Sequence, residues 1–329
     1  MSPRILFIAD AGPAIGGGHV MRSLTLARAL QARGATCAFA ASAEVAAVLD
    51  IFGPDLARAQ ADATGEGFDA VVLDHYGLAA DNHRRLAAGR PALVIDDLAD
   101  RPLAADIVLD AEPLRTAAHY ENLVAPTTEL LLGPAFAPVR PAFAERRDQA
   151  LAARTGRVPR RVLVSLGLTD VGGITGRIVD LLRPHLGDLA LDVVVGGAAP
   201  SLPALRALDD PNLTLHVDAQ NMPALLAGAD LAIGAGGGSA WERCVLGLPS
   251  LCLVLADNQI DTARALEDAG ATIALDVRTP SFDSEFIQAF SPLVTAPDTL
   301  ARMSAAAAAL CDGRGAERVA ERLLALLAP

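Results

Sequence analysis

A histidine at the start of a helix, carboxylates gathered at strand ends and two runs of glycine are the parts of this chain whose types and spacing can do chemistry. The first is "GGGHVMR", Gly16 to Arg22, between an apolar strand and a long apolar-striped helix. Gly16, Gly17 and Gly18 allow backbone conformations that side chains forbid and let a ligand approach the main chain. His19 stands where free N–H groups and the helix dipole disfavour an imidazolium. A neutral ring there accepts a proton at pH 7, or simply hydrogen-bonds a loop carbonyl. A dinucleotide-binding turn fits poorly, because Asp10 to His19 is long for it and the third glycine is out of place.

Two further clusters follow apolar runs: "LDHYG", with Asp74, His75 and Tyr76, and "IDDLADRP", with Asp96, Asp97, Asp100 and Arg101. In open α/β sheets the carboxyl ends of the strands face the ligand. Aspartates also make turns and helix caps. Asp74 can orient His19 or bind a sugar hydroxyl, Tyr76 can contact a sugar, and Arg22 can brace its helix or touch a phosphate. No D-x-D pair and no diagnostic His/Asp spacing points to a metal.

The second glycine run is the strongest local signal, "ADLAIGAGGGSAWERCVLGLP". An apolar strand enters Gly236, Gly237, Gly238 and Ser239, and a helix follows with Trp241 and Glu242 in its first turn. Backbone amides in that position hold a phosphate without any cationic side chain. Glu242 suits ribose hydroxyls, although a first-turn glutamate also stabilises any helix by roughly 0.3–1 kcal/mol. In "LVLADNQIDTARAL", Asp257, Asn258 and Gln259 can read sugar hydroxyls or phosphate, or cap the next helix.

These residues need elements to hold them. Short apolar runs alternate with helix-like stretches: "RILFIAD", a helix from His19 to about Arg33, "ATCAFAA", "AVVLDHY", "ALVIDDLAD" and "DIVLDAE". After "LLLGPAFAPVRPAFAERRDQALAARTGRVPR", which mixes prolines and arginines without a sustained strand signal, the rhythm restarts at "RRVLVSLGLTD" and continues to "ATIALDV". The expected fold is α/β, two Rossmann-like doubly wound domains facing a cleft. The expected boundaries are 1–145 for the first domain, 146–160 for a linker, 161–311 for the second domain and 312–329 for a last helix. That helix packs back on the first domain in this scheme, with Asp312 as a cap.

Composition narrows the chemistry. The 329 residues carry a net charge of −12, and every one of the 27 cationic side chains is arginine. Without lysine there is no Walker-A phosphate site and no Schiff base. The acidic balance and the absence of a basic run argue against nucleic acid or an anionic membrane as partner. Cys37, Cys244, Cys252 and Cys311 are scattered through apolar segments and read as buried thiols in a reducing, cytoplasmic setting. No segment reaches the length of uninterrupted apolar residues that spans a membrane.

Taken in order, "GGGHVMRSLTLA", "DHY", "IDDLADRP", "LLLGPAFAPVRPAF", "VLVSLGLTD", "ADLAIGAGGGSAWERCVLGLP", "LADNQ" and "CDGRGAERV" resemble one family. It is the UDP-sugar hydrolases of pseudaminic acid biosynthesis, which remove UDP from UDP-2,4-diacetamido-2,4,6-trideoxy-β-L-altropyranose. The family is similar to the B-type glycosyltransferases. The resemblance implies UDP held mainly by the second domain, water as the acceptor and no metal; a soluble monomer with a UDP-sugar and water as partners and no cofactor is the accompanying expectation.

It also implies roles. His19 falls on the family's proposed base, deprotonating a water that attacks the anomeric carbon with inversion. Glu242 falls on the family's ribose-binding glutamate, while Gly236 to Ser239 as the UDP turn and Gly17, Gly18, Asp74, Tyr76, Asn258 and Gln259 as sugar and phosphate contacts are read from their places at the strand ends. The family's glycine loop reads G-G-S-T-x-W-E, whereas here Gly238 occupies the serine position and Ser239 the threonine position, one hydroxyl fewer. Leu168 stands where the family has a second glycine. A glycosyltransferase using a hydroxyl acceptor, or a non-catalytic nucleotide-sugar-binding protein, are the alternative readings.

Overall fold

A computed structural model describes residues 2–12, 15–154 and 156–328 and divides the chain into two units. The first comprises Met1–Arg140 with Arg314–Pro329, the second Pro141–Gly313. In the first unit, β1 (Arg4–Ala9), β2 (Thr36–Ala40), β3 (Ala57–Ala59), β4 (Ala70–Asp74), β5 (Ala92–Ile95), β6 (Ile107–Asp110) and β7 (Glu129–Leu132) form one sheet in the order β3-β2-β1-β4-β5-β6-β7. Every pairing is parallel. Parallel sheets bury both faces, which is why β4, β5 and β6 are apolar with every residue buried, except that β4 and β6 close on the buried carboxyls of Asp74 and Asp110.

The order reverses between β1 and β4. Ala9 pairs with Asp74 in register, and the Asp10 N–H donates to the Asp74 carbonyl at 3.0 Å, so the two strands end level. The helix that follows β1, Gly18–Gln31, sends Val20, Leu24, Leu26, Ala27 and Leu30 into the core. Its first turn therefore lies at the end of β4.

The second unit repeats the plan with six strands. They are β8 (Arg161–Ser165), β9 (Ala190–Val195), β10 (Leu213–Val217), β11 (Leu231–Ala235), β12 (Ser250–Val254) and β13 (Thr272–Asp276), ordered β10-β9-β8-β11-β12-β13. Its pairings are parallel too. Here the switch lies between β8 and β11, and the glycine run leaves β11 between the ends of β8 and β12.

Three expectations need correction. The stretch 146–160, read as a linker, lies within the second unit and contains the helix Arg147–Arg154. The arginines that gave it linker character anchor it: Arg147 donates to the carbonyls of Val245 (2.7 Å), Ala308 (2.6 Å) and Cys311 (2.9 Å). Buried Arg154 does the same for Leu226 (2.9 Å) and Leu246 (3.0 Å). The segment beginning "LLLG" is not free of strand, since its three leucines end β7, a four-residue edge strand too short and too exposed to show a period. The last helix, Gly315–Leu326, has Arg314 rather than Asp312 at its N-cap.

That helix buries Ala316, Val319, Ala320 and Leu323 in the core of the first unit, with Arg33 and Glu321 paired at 2.8 Å. All four cysteines are buried free thiols. Among the described residues no helix is long and apolar enough to cross a membrane.

Candidate active site

Residues at the end of β4 lock together through charge. His19, second in its helix and 5% exposed, places Nδ1 2.6 Å from Asp74 Oδ1. Arg22, one turn further, clasps the same carboxylate with Nε at 2.7 Å and Nη2 at 2.6 Å. Its Nη1 reaches both oxygens of Asp97, at 2.6 and 2.9 Å. Ser23 Oγ donates to Asp74 at 3.2 Å, and Tyr76 donates its hydroxyl to Asp97 at 2.6 Å. The Tyr76 ring meets His19 edge to face, with centroids 4.4 Å apart.

Burial pushes the Asp74 carboxyl up, but the charges and hydrogen bonds of Arg22 and His19 outweigh burial and hold it well below the usual carboxylate range. An ionised Asp74 only accepts, so the hydrogen on His19 is at Nδ1. Nε2 is then the basic nitrogen, and no described residue hydrogen-bonds it. Two carboxylates, Asp74 and Asp97, face one guanidinium, a net charge of −1 that a proton on His19 balances.

Next to this lies a second buried carboxylate with the opposite behaviour. Burial pushes Asp110 up to about 6, against a hydrogen bond from Tyr120 (2.7 Å) and the charge of Arg115. The same hydroxyl lies 2.9 Å from Asp96, so its single proton is shared between two carboxyl groups, and Arg101 pairs with Asp96 at 2.9 Å.

The first glycine run is less demanding than its sequence suggests. Only Gly16 takes a left-handed backbone, φ 83°. Gly17 is the N-cap at φ −104°, and a Cβ on Gly18 would meet nothing within 4 Å.

In the second unit the site is main chain. The Gly236 N–H is used, donating to the Leu253 carbonyl at 3.0 Å. The amides of Gly237, Gly238 and Ser239 have no partner among the described residues. Gln259 backs the turn: a Cβ on Gly236 would stand 3.2 Å from its Cβ and its carbonyl oxygen. Its Oε1 accepts from the Leu255 N–H at 3.0 Å, so only its amide nitrogen is left to donate. Asn258 is exposed in the turn Asp257–Gln259, and Glu242 is half-buried in the first turn of the helix Ser239–Val245.

The residues expected to act thus form two groups, His19, Asp74 and Tyr76 with Gly17 and Gly18 in the first unit, and Gly236 to Ser239, Glu242, Asn258 and Gln259 in the second. Sequence reasoning passed over Asp97 as the far anchor of Arg22, and over Arg243 beneath the second glycine run. A hydrophilic position one turn after Ser239 was the only visible signal for the latter. Among the described residues no group of three or more His, Cys, Asp or Glu side chains has the geometry of a metal site.

Comparison with known proteins places this architecture. Residues 209–323 match the model of the glycosyltransferase family 28 C-terminal domain. The crystal structure of Acinetobacter baumannii MurG is similar over 98% of this chain and 99% of its own, with a TM-score of 0.67 at 17% identity. The fold is the glycosyltransferase-B type, two Rossmann-like domains.

Two curated relatives match most of the chain. The spore coat polysaccharide biosynthesis protein SpsG of Bacillus subtilis is 25% identical over 330 residues, 94% of this chain and 95% of the relative. The UDP-2,4-diacetamido-2,4,6-trideoxy-β-L-altropyranose hydrolase of Campylobacter jejuni is 23% identical over 279 residues, 81% of this chain and 97% of the relative.

Proposed function

We propose that this chain hydrolyses a UDP-linked 2,4-diacetamido-2,4,6-trideoxy hexose, releasing UDP and the free sugar used in nonulosonic acid synthesis. One observation carries the reading: a histidine whose Nδ1 is committed to an ionised carboxylate, leaving Nε2 to take a proton. The similarity to the Campylobacter jejuni hydrolase supports the choice of sugar.

In this mechanism a water oxygen attacks the anomeric carbon on the face opposite the nucleotide. His19 Nε2 takes the water proton as the new carbon–oxygen bond forms. The bond from the anomeric carbon to the diphosphate breaks, and its electron pair leaves with UDP, inverting the anomeric configuration. Asp74 and Arg22 hold the ring and balance the imidazolium charge. Open amides at Gly237, Gly238 and Ser239 receive the developing charge on the diphosphate. Tyr76, Asn258 and Gln259 contact the sugar, and Glu242 the ribose.

The match to a glycosyltransferase domain favours one other reading, transfer of the same sugar to a hydroxyl acceptor. A panel of UDP-diacetamido-trideoxy sugars, incubated without acceptor or added metal, separates the two. Equal amounts of UDP and free sugar are expected from one stereoisomer; UDP release that waits for an added acceptor supports the transferase.

A further inference from the structure

Arg243 is 4% exposed, yet its guanidinium meets no carboxylate among the described residues. Nη2 donates to the Ala235 carbonyl at 2.9 Å and approaches Cys252 Sγ at 3.9 Å, while Nη1 donates to Ser239 Oγ at 3.3 Å. These acceptors are neutral, the Cys252 thiol included, since burial pushes it up. Nε is buried and has no hydrogen-bond partner among the described residues. Gly234 makes room for the group, because a Cβ there would stand 2.3 Å from Nη1. A cavity of about 40 Å³ beside it is lined by Ser165, Gly234, Ser239, Glu242 and Arg243, among others.

An arginine is not deprotonated in proteins, and an isolated buried charge is costly. The fold nevertheless reserves buried space for one, with no carboxylate partner among the described residues. Ser239 links this cation to the glycine turn. Its Oγ accepts from Arg243, so its own hydroxyl proton is free to donate elsewhere, and its amide is one of the three open N–H groups.

We propose that the missing counter-charge is the ligand itself. Arg243 is a positioning residue for the diphosphate of a nucleotide: it fixes the Ser239 hydroxyl as a donor and sets a permanent positive charge beneath the amides of Gly237, Gly238 and Ser239. This rests on the reading that the second unit binds UDP.

Calorimetric titration with UDP and with uridine, which lacks phosphate, isolates the effect. Wild type binds UDP more tightly than uridine, and Arg243→Met loses about tenfold or more of that preference with uridine affinity unchanged. Arg243→Lys, which keeps the charge, retains most of it. If Arg243→Met does not fold, Arg243→Gln, which keeps donors without charge, carries the same comparison. An unchanged preference, or a parallel loss of UDP and uridine binding, overturns the proposal and leaves Arg243 a role in the fold alone. Wild type that binds no UDP overturns the functional reading itself.

Discussion

At the end of β4 each charged group is answered by another, Arg22 by Asp74 and Asp97, and Asp74 by His19 and Ser23. At the end of β11 the amides of Gly237, Gly238 and Ser239 and the guanidinium of Arg243 have no opposing charge among the described residues. Both regions occupy the same place in the same fold, the switch point of a parallel sheet. A closed network spends its hydrogen bonds on fixing one nitrogen, as suits a group that moves a proton. An open set of donors keeps them for a ligand, as suits the binding of an anion. The difference shows that one topology, used twice in a chain, can be given opposite tasks by choosing side chains in one copy and main chain in the other.

That contrast can be broken most severely at His19. A His19→Asn protein is expected to turn over 10²–10⁴-fold more slowly while UDP affinity, measured by calorimetry, stays within about twofold. Loss of both would mean that the two regions are not separate in task.

A second effect, smaller, sharpens the contrast within the first unit, where Asp74 and Asp110 are both fully buried but shifted in opposite directions. A carboxyl raised to about 6 contributes stability that is complete below its unfolded value of 3.8 and is lost as pH rises through 6. Relative to Asp110→Asn, wild type is therefore expected to lose on the order of 3 kcal/mol between about pH 4 and 7, read from urea unfolding at the two limits. A difference that grows with pH would reverse the sign assigned to Asp110. Asp74 works the other way, its contribution complete at neutral pH and lost only in acid.

The smallest effect concerns the missing hydroxyl of the second glycine run. Gly238 has helical angles, φ −53° and ψ −26°, and a Cβ there would meet nothing within 4 Å. Gly238→Ser is accordingly expected to fold normally and to bind UDP up to about fivefold more tightly, the worth of one added hydrogen bond of roughly 1 kcal/mol. Weaker binding would mean that the turn needs a bare backbone at that position.

Much of this was legible in the residues. Strands buried on both faces announce themselves as apolar runs, as β1, β4, β5, β6, β8, β11 and β12 do, whereas the edge strand β10, LTLHV, shows itself by alternation instead. His19 and the Gly236–Ser239 turn were visible because glycine before a helix start has few other uses. Edge strands β3 and β7 were not visible, being three and four residues long and partly exposed. Nor was the fate of 146–160, whose arginines look solvated in sequence and instead cap carbonyls far along the chain, Ala308 and Cys311 among them. The partnership of Arg22 with Asp97, 75 positions away, arises only when the sheet order brings them together, and the clearance that Gly234 gives Arg243 only when the helix folds back over β11.

In the proposed reaction, water activated at His19 attacks carbon rather than phosphorus. Reaction of the UDP-diacetamido-trideoxy sugar in ¹⁸O-labelled water, without acceptor, tests it most directly. Label is expected in the free sugar, released with inverted anomeric configuration, and none in UDP; label in UDP would mean attack at phosphorus.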